Sequence, residues 1–372
     1  MTDVLIICGG TGGHLSPGIA IAEELQARKY SSLLCISQKS IDSAIIAKYK
    51  TLNFESFSGR GFSGGLWGRL LFFYRLVLSL PKIAKIIIIH KPSVLLLFGG
   101  YLSVGFGLMG ILFHRTLVLH EANSKPGKAV RLLKRFARIV YLPKGVSLRS
   151  IKKSKLRNHG YPLRKEMVLM EKATARAQIG IAGEGPLLVV IGGSQGAEIL
   201  NKWVIDNFNR LTEDGISIYC ITGLNNGLES RDVSLNQRGE TVTISLVPFS
   251  DQMSAVLSAA DLLVSRAGAG AIAEIIRCQV PSILVPYPYA ADNHQLYNAK
   301  MHETLGGGIV LEQTDMDRLY NEIKALINNH SLLEQIQINL VNLELQSASE
   351  LIVNDLESMV DLKNDAIQNK AF

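Results

Sequence analysis

The chain lacks most of what would place it in a specialised class. Its four cysteines, Cys8, Cys35, Cys220 and Cys278, are far apart and form no CxxC pair. That spacing fits neither a disulfide framework nor a zinc site, and it makes a reducing cytosol the expected setting. There is no HExxH, Walker-type lysine or GxSxG motif, which argues against zinc proteases, P-loop NTPases and serine hydrolases. No signal peptide is expected, because Met1-Thr2-Asp3 runs directly into an apolar strand. Charge is sparse, 19% of residues against 47% hydrophobic, which excludes disorder. The most apolar region, from Leu66 to Phe98, is interrupted by Arg69, Arg75, Pro81, Lys82, Lys85, His90, Lys91 and Pro92. It therefore holds no uninterrupted window of about 18 apolar residues, and a spanning helix is not expected.

What is present is enough chain for two domains, 372 residues, with a net charge of +7. The charge points to an anionic partner, which phosphate ligands, nucleic acid or an acidic membrane surface would each satisfy. Apolar strand-like runs alternate with helical patterns, the signature of βαβ units and parallel sheets. Val4–Cys8 reads as a buried strand that meets Gly9-Gly10-Thr11-Gly12-Gly13-His14, with Ser16 as N-cap and Pro17 at the first helical position. The same grammar recurs in Leu187–Ile191, the turn Gly192-Gly193-Ser194-Gln195-Gly196-Ala197 and a helix from Glu198. Further strands are expected at 33–37, 94–98, 116–119, 139–142, 217–221, 241–246, 261–265 and 282–285. Two such openings about 180 residues apart imply two doubly wound α/β domains, with a linker between Tyr161 and Lys172 and ligands outside the carboxyl ends of the strands, in a cleft between facing domains.

Glycine-rich turns let a backbone approach phosphate, and open N–H groups at a helix start favour anions. Four glycines among the five residues from Gly9 to Gly13 exceed what a tight turn needs. A dinucleotide site is disfavoured, because the spacing is not GxGxxG and the second strand ends in Ser37-Gln38 rather than an acid. His14, at the edge of this loop, is the candidate acid–base group. Phe98-Gly99-Gly100-Tyr101 follows another strand and would form a second phosphate-facing edge. In the second half, Ser265-Arg266-Ala267-Gly268-Ala269-Gly270-Ala271-Ile272-Ala273-Glu274 again places small residues at a helix start, with Glu274 positioned to accept from ribose hydroxyls. Val285–Gln295 is a polar loop suited to sugar hydroxyls. Asp315-Met316-Asp317 has metal-clamp spacing but reads as capping. The apolar stretch 66–78, with Arg75, Lys82 and Lys85 on one arc, suits an anionic lipid interface, a buried core helix or an oligomer interface, and Pro81 is expected to break it. The cluster Arg131, Lys134, Arg135 and Arg138 extends that basic surface.

Together these motifs resemble the MurG family of peptidoglycan N-acetylglucosaminyltransferases, which adopt the GT-B fold. The resemblance rests on Gly9–His14 with Pro17-Gly18, Gly99-Gly100-Tyr101, His120-Glu121-Ala122-Asn123, Gly192–Ala197, Arg266–Ala269 with Glu274, and Gln295 with Asn298-Ala299, in the family's order. It implies an N-terminal acceptor domain over 1–161, a UDP-sugar domain over 162–345, and a C-terminal helix near 346–365 packing back on the first. It further implies inverting transfer of N-acetylglucosamine from UDP-N-acetylglucosamine to the muramoyl 4-hydroxyl of lipid I, an undecaprenyl-diphosphate-linked acceptor, forming lipid II. The donor would meet Ser194 and Gln195 at its phosphates or sugar, the backbone of Ser250 at uracil, Ala269 to Ala273 beneath the diphosphate, Glu274 at the ribose and Gln295 at the sugar. Thr11, Gly12, Gly13, His14, Asn123 and Arg164 match the family's other contacts, and Gly10, Gly12, Gly13, Gly99, Gly100 and Tyr101 would face the acceptor diphosphate. No cofactor, metal or nucleic acid is implied. The expected setting is the cytoplasmic face of the inner membrane, on an anionic surface, with cell-wall assembly partners. The sequence departs from the family at Ala271, usually threonine, at His294, usually glutamine, at Ser250, often apolar, and at Tyr161, where Gly-Asn-Pro is usual. The rival readings are a UDP-N-acetylglucosamine 2-epimerase or lipid glycosyltransferase of the same architecture, and a non-catalytic nucleotide-sugar-binding membrane scaffold.

Overall fold

The computed structural model describes residues 2–9, 12–37, 46, 48–57, 65–148, 150–193, 196–224, 228–344 and 347–368, of which 12, 65–70, 72, 73 and 364–368 are described by backbone alone. The chain divides into two compact units, Met1–Lys165 with Leu345–Phe372, and Glu166–Glu344. The division falls after Lys165 rather than Tyr161, so Arg164 sits in the first unit.

The first unit is built on seven parallel strands: β1 (Val4–Cys8), β2 (Ser32–Ser37), β3 (Phe54–Phe57), β4 (Val94–Leu97), β5 (Thr116–His120), β6 (Ile139–Tyr141) and β7 (Leu156–Arg157), in the order β3-β2-β1-β4-β5-β6-β7. Its helices are α1 (Gly12–Ala27), α2 (Gly65–His90), α3 (Gly100–Leu112) and α4 (Lys128–Leu133). All five β1 residues are buried, as a central parallel strand covered on both faces requires. One face packs Ile6 and Leu96 against Leu15 and Ile19 of α1, and the other packs Leu5 and Leu95 against Ile83, Ile87 and Phe106. A last helix, Ala348–Gln368, returns to this unit and places Ile352, Val353, Leu356 and Val360 in the same core as β1, each 0% exposed.

The second unit holds β8 (Leu187–Ile191), β9 (Ser217–Ile221), β10 (Ser230–Leu235), β11 (Thr241–Val247), β12 (Leu262–Ser265), β13 (Ser282–Leu284) and β14 (Gly308–Val310). Their order is β10-β11-β9-β8-β12-β13-β14, parallel except for the β10–β11 hairpin at the edge. The helices are α5 (Lys172–Ile179), α6 (Glu198–Glu213), α7 (Met253–Ala259), α8 (Ala269–Cys278), α9 (His294–Thr304), α10 (Leu319–Ile327) and α11 (His330–Leu343), which makes Ala348–Gln368 α12.

Two helix expectations are corrected. The first helix begins at Gly12, not after Ser16, so Pro17 lies inside it. The preference for proline at the first helical position is statistical, and here the bond that Pro17 cannot make is replaced, as described below. Pro81 does not break α2, which runs from Gly65 to His90. Pro81 and Val77, whose carbonyl loses its donor, both lie on the exposed side, while Leu76, Ile83, Ile86 and Ile87 pack inward. The freed carbonyl is therefore not buried, and the packed face carries the helix through. Four strands, β3, β7, β10 and β14, were not expected.

Candidate active site

In each sheet the order of the parallel strands reverses once, and both reversals fall on glycine motifs. In the first sheet β1 continues towards β2 on one side and meets β4 on the other, so the crevice opens where Cys8-Gly9 and Phe98-Gly99-Gly100 leave the sheet. In the second sheet the equivalent point lies between β8 and β12, where Gly192-Gly193 and Ser265-Arg266-Ala267-Gly268 emerge. Such points are where open α/β sheets bind ligands.

The first crevice is spanned by His14, in the first turn of α1. Its Nδ1 lies 2.6 Å from the Gly9 carbonyl. A carbonyl only accepts, so Nδ1 carries the hydrogen and, in the neutral ring, Nε2 carries the lone pair. The ring reaches across to the end of β4, where a Cβ added to Gly99 would stand 3.7 Å from His14 Nε2. Gly99 has φ +100 and Gly100 φ +74, values that glycine tolerates best. The Ser103 hydroxyl ties this turn by accepting the Gly99 N–H at 3.0 Å and donating to its carbonyl at 2.6 Å. Gly9 and Gly18 serve packing: an added Cβ would meet Leu102 Cβ at 2.6 Å and Cys8 Sγ at 2.1 Å respectively. The Tyr101 hydroxyl is buried with no partner among the described residues, and burial raises its pKa.

The next strand adds the His-Glu-Ala-Asn segment. Glu121, buried behind β5, accepts from the backbone and side-chain amides of Asn123 at 2.9 and 3.0 Å and from the Gly127 N–H at 2.6 Å. It fixes both Asn123 and the approach to α4. His120, 1% exposed, donates from Nε2 to the Gly160 carbonyl at 3.1 Å, and burial lowers its pKa to about 4, so it is neutral. Tyr161 packs edge-on against it and donates its hydroxyl to the Gly13 carbonyl at 3.0 Å. The Arg164 guanidinium lies 3.4 Å from the Tyr49 hydroxyl.

The second crevice is of a different kind. Gly193 has φ +89, and a Cβ added at Gly193 or at Gly268 would meet nothing within 4 Å among the described residues. Gly268 is the N-cap of α8, whose first turn, Ala269 to Ala273, is half-buried with Glu274 one turn in. N–H groups at such a helix start lack helical partners and carry the positive end of the dipole. Arg266, 8% exposed, donates to the carbonyls of Val285 and Pro286 at 3.1 and 3.3 Å and to Gln313 at 2.8 Å. It therefore clamps the loop after β13 to β12. Gln295 holds the same loop by accepting the Tyr287 N–H at 2.9 Å, and Asn298 donates to the Ala267 carbonyl at 3.3 Å. His294 folds back onto the Ala291 carbonyl at 2.7 Å. Ser250, between β11 and α7, accepts the Gln252 N–H at 3.2 Å.

The structure thus gathers Gly12, Gly13, His14, Gly99, Gly100 and Tyr101 at the first reversal, with Asn123 on the neighbouring strand end. It gathers Gly193, Ala269, Gly270, Ala271, Ile272, Ala273, Glu274 and Gln295 about the second. Arg164 and Ser250 stand further out, each in its own unit. Gly10, Thr11, Ser194 and Gln195 lie outside the described residues. Asp315-Met316-Asp317 falls in a 3-10 turn leading into α10, and no group of three or more potential metal ligands occurs among the described residues. Sequence reasoning missed the clamping roles of Glu121, Arg266 and Tyr161. A charged residue directly after a wholly apolar strand, as both Glu121 and Arg266 nearly are, was the available signal.

Residues 4–142 match the glycosyltransferase family 28 N-terminal domain, and residues 187–352 match the glycosyltransferase family 28 C-terminal domain. The UDP-N-acetylglucosamine–N-acetylmuramyl-(pentapeptide) pyrophosphoryl-undecaprenol N-acetylglucosamine transferase of Opitutus terrae is 43% identical over 96% of this chain and 95% of its own. The protein of the same description from Prochlorococcus marinus is 35% identical, over 95% and 96%. The crystal structure of Acinetobacter baumannii MurG superposes with a TM-score of 0.72, covering 96% of this chain and all of that one; at 20% identity this likeness is one of fold. The chain belongs to the MurG family of glycosyltransferases, within glycosyltransferase family 28.

Proposed function

We propose that the chain transfers N-acetylglucosamine from UDP-N-acetylglucosamine to the 4-hydroxyl of the muramoyl sugar of an undecaprenyl-diphosphate-linked acceptor, with inversion. The observation that carries the mechanism is the His14 imidazole, whose Nδ1–H is committed to the Gly9 carbonyl so that Nε2 is the accepting nitrogen. As the acceptor oxygen attacks the anomeric carbon, its proton passes to Nε2, and the bond from that carbon to the UDP oxygen breaks. The Gly9 carbonyl steadies the imidazolium that forms. The departing diphosphate is stabilised by the open N–H groups of the first turn of α8, with Gly193 and Gly268 leaving room for it. Glu274 accepts from the ribose, the Ser250 backbone reads uracil, and Gln295 orders the sugar-facing loop. The glycine turns at Gly12-Gly13 and Gly99-Gly100 receive the acceptor diphosphate.

The acceptor is delivered from a membrane surface, and the first unit carries a face suited to it. No helix among the described residues is long and apolar enough to cross a bilayer. Yet α3 packs between α2 and α4, and Tyr74, Leu78, Leu112, Leu132 and Phe136 are each more than half exposed there. Arg75, Lys85, Arg131 and Arg135 are exposed on the same helices or just beyond them. Lys82 is not part of this set, because it pairs with Glu55 at 2.8 Å and covers the Phe57 ring. Apolar side chains ringed by cations bind anionic lipid at the cytoplasmic leaflet.

The test incubates labelled UDP-N-acetylglucosamine with and without the lipid-linked acceptor. Label must move to the lipid fraction only when acceptor is present. An epimerase would alter the sugar nucleotide without acceptor, and a scaffold would leave it intact. Pelleting with vesicles containing phosphatidylglycerol, lost in Leu112→Asp/Phe136→Asp, checks the membrane face.

A further inference from the structure

The first turn of α1 has a defect built into its own sequence. In a regular helix the N–H of residue 17 would donate to the carbonyl of residue 13. Residue 17 is proline, with no N–H, so the Gly13 carbonyl cannot receive its helical bond. Gly13 directly precedes His14, so the peptide that carries the imidazole lacks one of the bonds that would fix it.

The missing donor comes from 148 residues away: the Tyr161 hydroxyl donates to Gly13 O at 3.0 Å. Tyr161 is itself held on two sides. The preceding residue's carbonyl, Gly160 O, accepts from His120 Nε2 at 3.1 Å. The Tyr161 ring stands edge-on to the His120 ring, with centroids 6.2 Å apart, and His120 is wedged against Phe98 at 5.0 Å. The carboxyl ends of β4 and β5 are thereby connected, through His120 and Tyr161, to the turn that presents His14. We infer that Tyr161 is a positioning residue for the transfer reaction, supplying through its hydroxyl the hydrogen bond that Pro17 removes from the His14 turn. The inference rests on the reading of His14 as proton acceptor.

A cycle of four proteins tests it: wild type, Tyr161→Phe, Pro17→Ala and the double variant. Phenylalanine keeps the ring against His120 and removes only the hydroxyl. Alanine at 17 returns a backbone N–H that can donate to Gly13 O. Tyr161→Phe is expected to lower kcat about three- to tenfold, the range for one neutral hydrogen bond. KM for the nucleotide sugar, which binds in the other unit on this reading, stays unchanged. Amide exchange over residues 12–20 speeds up in Tyr161→Phe. In the Pro17→Ala background the same Tyr161→Phe change loses most of its effect on both kcat and exchange. Equal kcat and exchange in wild type and Tyr161→Phe would overturn the inference, as would a double variant in which the two losses simply multiply. A wild type that moves no sugar to lipid sinks the transferase reading instead, while the exchange cycle still decides whether Tyr161 and Pro17 act on one carbonyl.

Discussion

The two crevices arise from the same strand–turn–helix grammar but differ in what stands beside some of their glycines. At the first reversal Gly9 and Gly18 are glycine because Leu102 and Cys8 press on them, and an ionisable ring occupies the gap. At the second, Gly192 is likewise crowded, by Ala197 N at 2.2 Å, but Gly193 and Gly268 meet nothing among the described residues, and the buried cation Arg266 donates to loop carbonyls. One crevice is closed around an imidazole; the other is lined by the N–H dipoles of a helix start. A glycine-rich loop in a sequence therefore does not by itself reveal whether backbone or ligand fills the missing side chain's place.

Removing the proposed proton acceptor is the harshest way to test this contrast. His14→Ala should lower kcat by about 100- to 10,000-fold, the range for a general base, with KM for UDP-N-acetylglucosamine nearly unchanged. Steady-state rates across pH check it; a variant that keeps most of its kcat would leave the first crevice without its assigned chemistry. Next come the glycines. Gly18→Ala should cost about 1–3 kcal/mol of stability by overpacking Cys8, seen in urea unfolding. Gly268→Val has a compatible backbone, φ −68 and ψ 145, and nothing to strike, so it should leave unfolding alone and raise donor KM about tenfold. If the two variants behaved alike, the difference between the crevices would be illusory.

The smallest effect is one the units share. His120 in the first and His302 in the second are 1% and 2% exposed, and burial holds each near pKa 4. Their folded pKa lies below the unfolded value of about 6.5, so the unfolded chain binds the proton first. Stability is full above pH 6.5 and falls as pH drops towards 4, by about 1 kcal/mol per imidazole at pH 6. Urea midpoints at pH 7.5 and 6 should fall together for both units. A unit whose midpoint stays fixed has a histidine that already protonates when folded.

Buried central strands were plain in the sequence: β1 and β8 are continuous apolar runs, β9 is one after Ser217, and their bounds match the expectation. β10, Ser-Arg-Asp-Val-Ser-Leu, was invisible because all six residues are exposed and only its hairpin with β11 makes it a strand. β3, β7 and β14 are short strands at sheet edges whose residues are partly exposed, so no buried apolar run marks them. Glycine clusters marked where both crevices open, since turns need them whatever fills the space. The clamps were not legible, because Arg266 reaches Gln313 and Tyr161 reaches Gly13 across long stretches of chain. The proline that misplaced the start of α1 was the trace of one such clamp.

The return of α12 to the first unit has a consequence for how the protein is made. Residues 166–344 form one continuous stretch, so the second unit can fold as soon as it leaves the ribosome. The first unit is translated earlier but waits for Ile352, Val353, Leu356 and Val360 to cover the side of its sheet that holds Ile6 and Leu96. The order of synthesis and the order of completion are reversed. Until α12 is made, the side of the sheet that holds Ile6 and Leu96 lacks the cover of these four side chains.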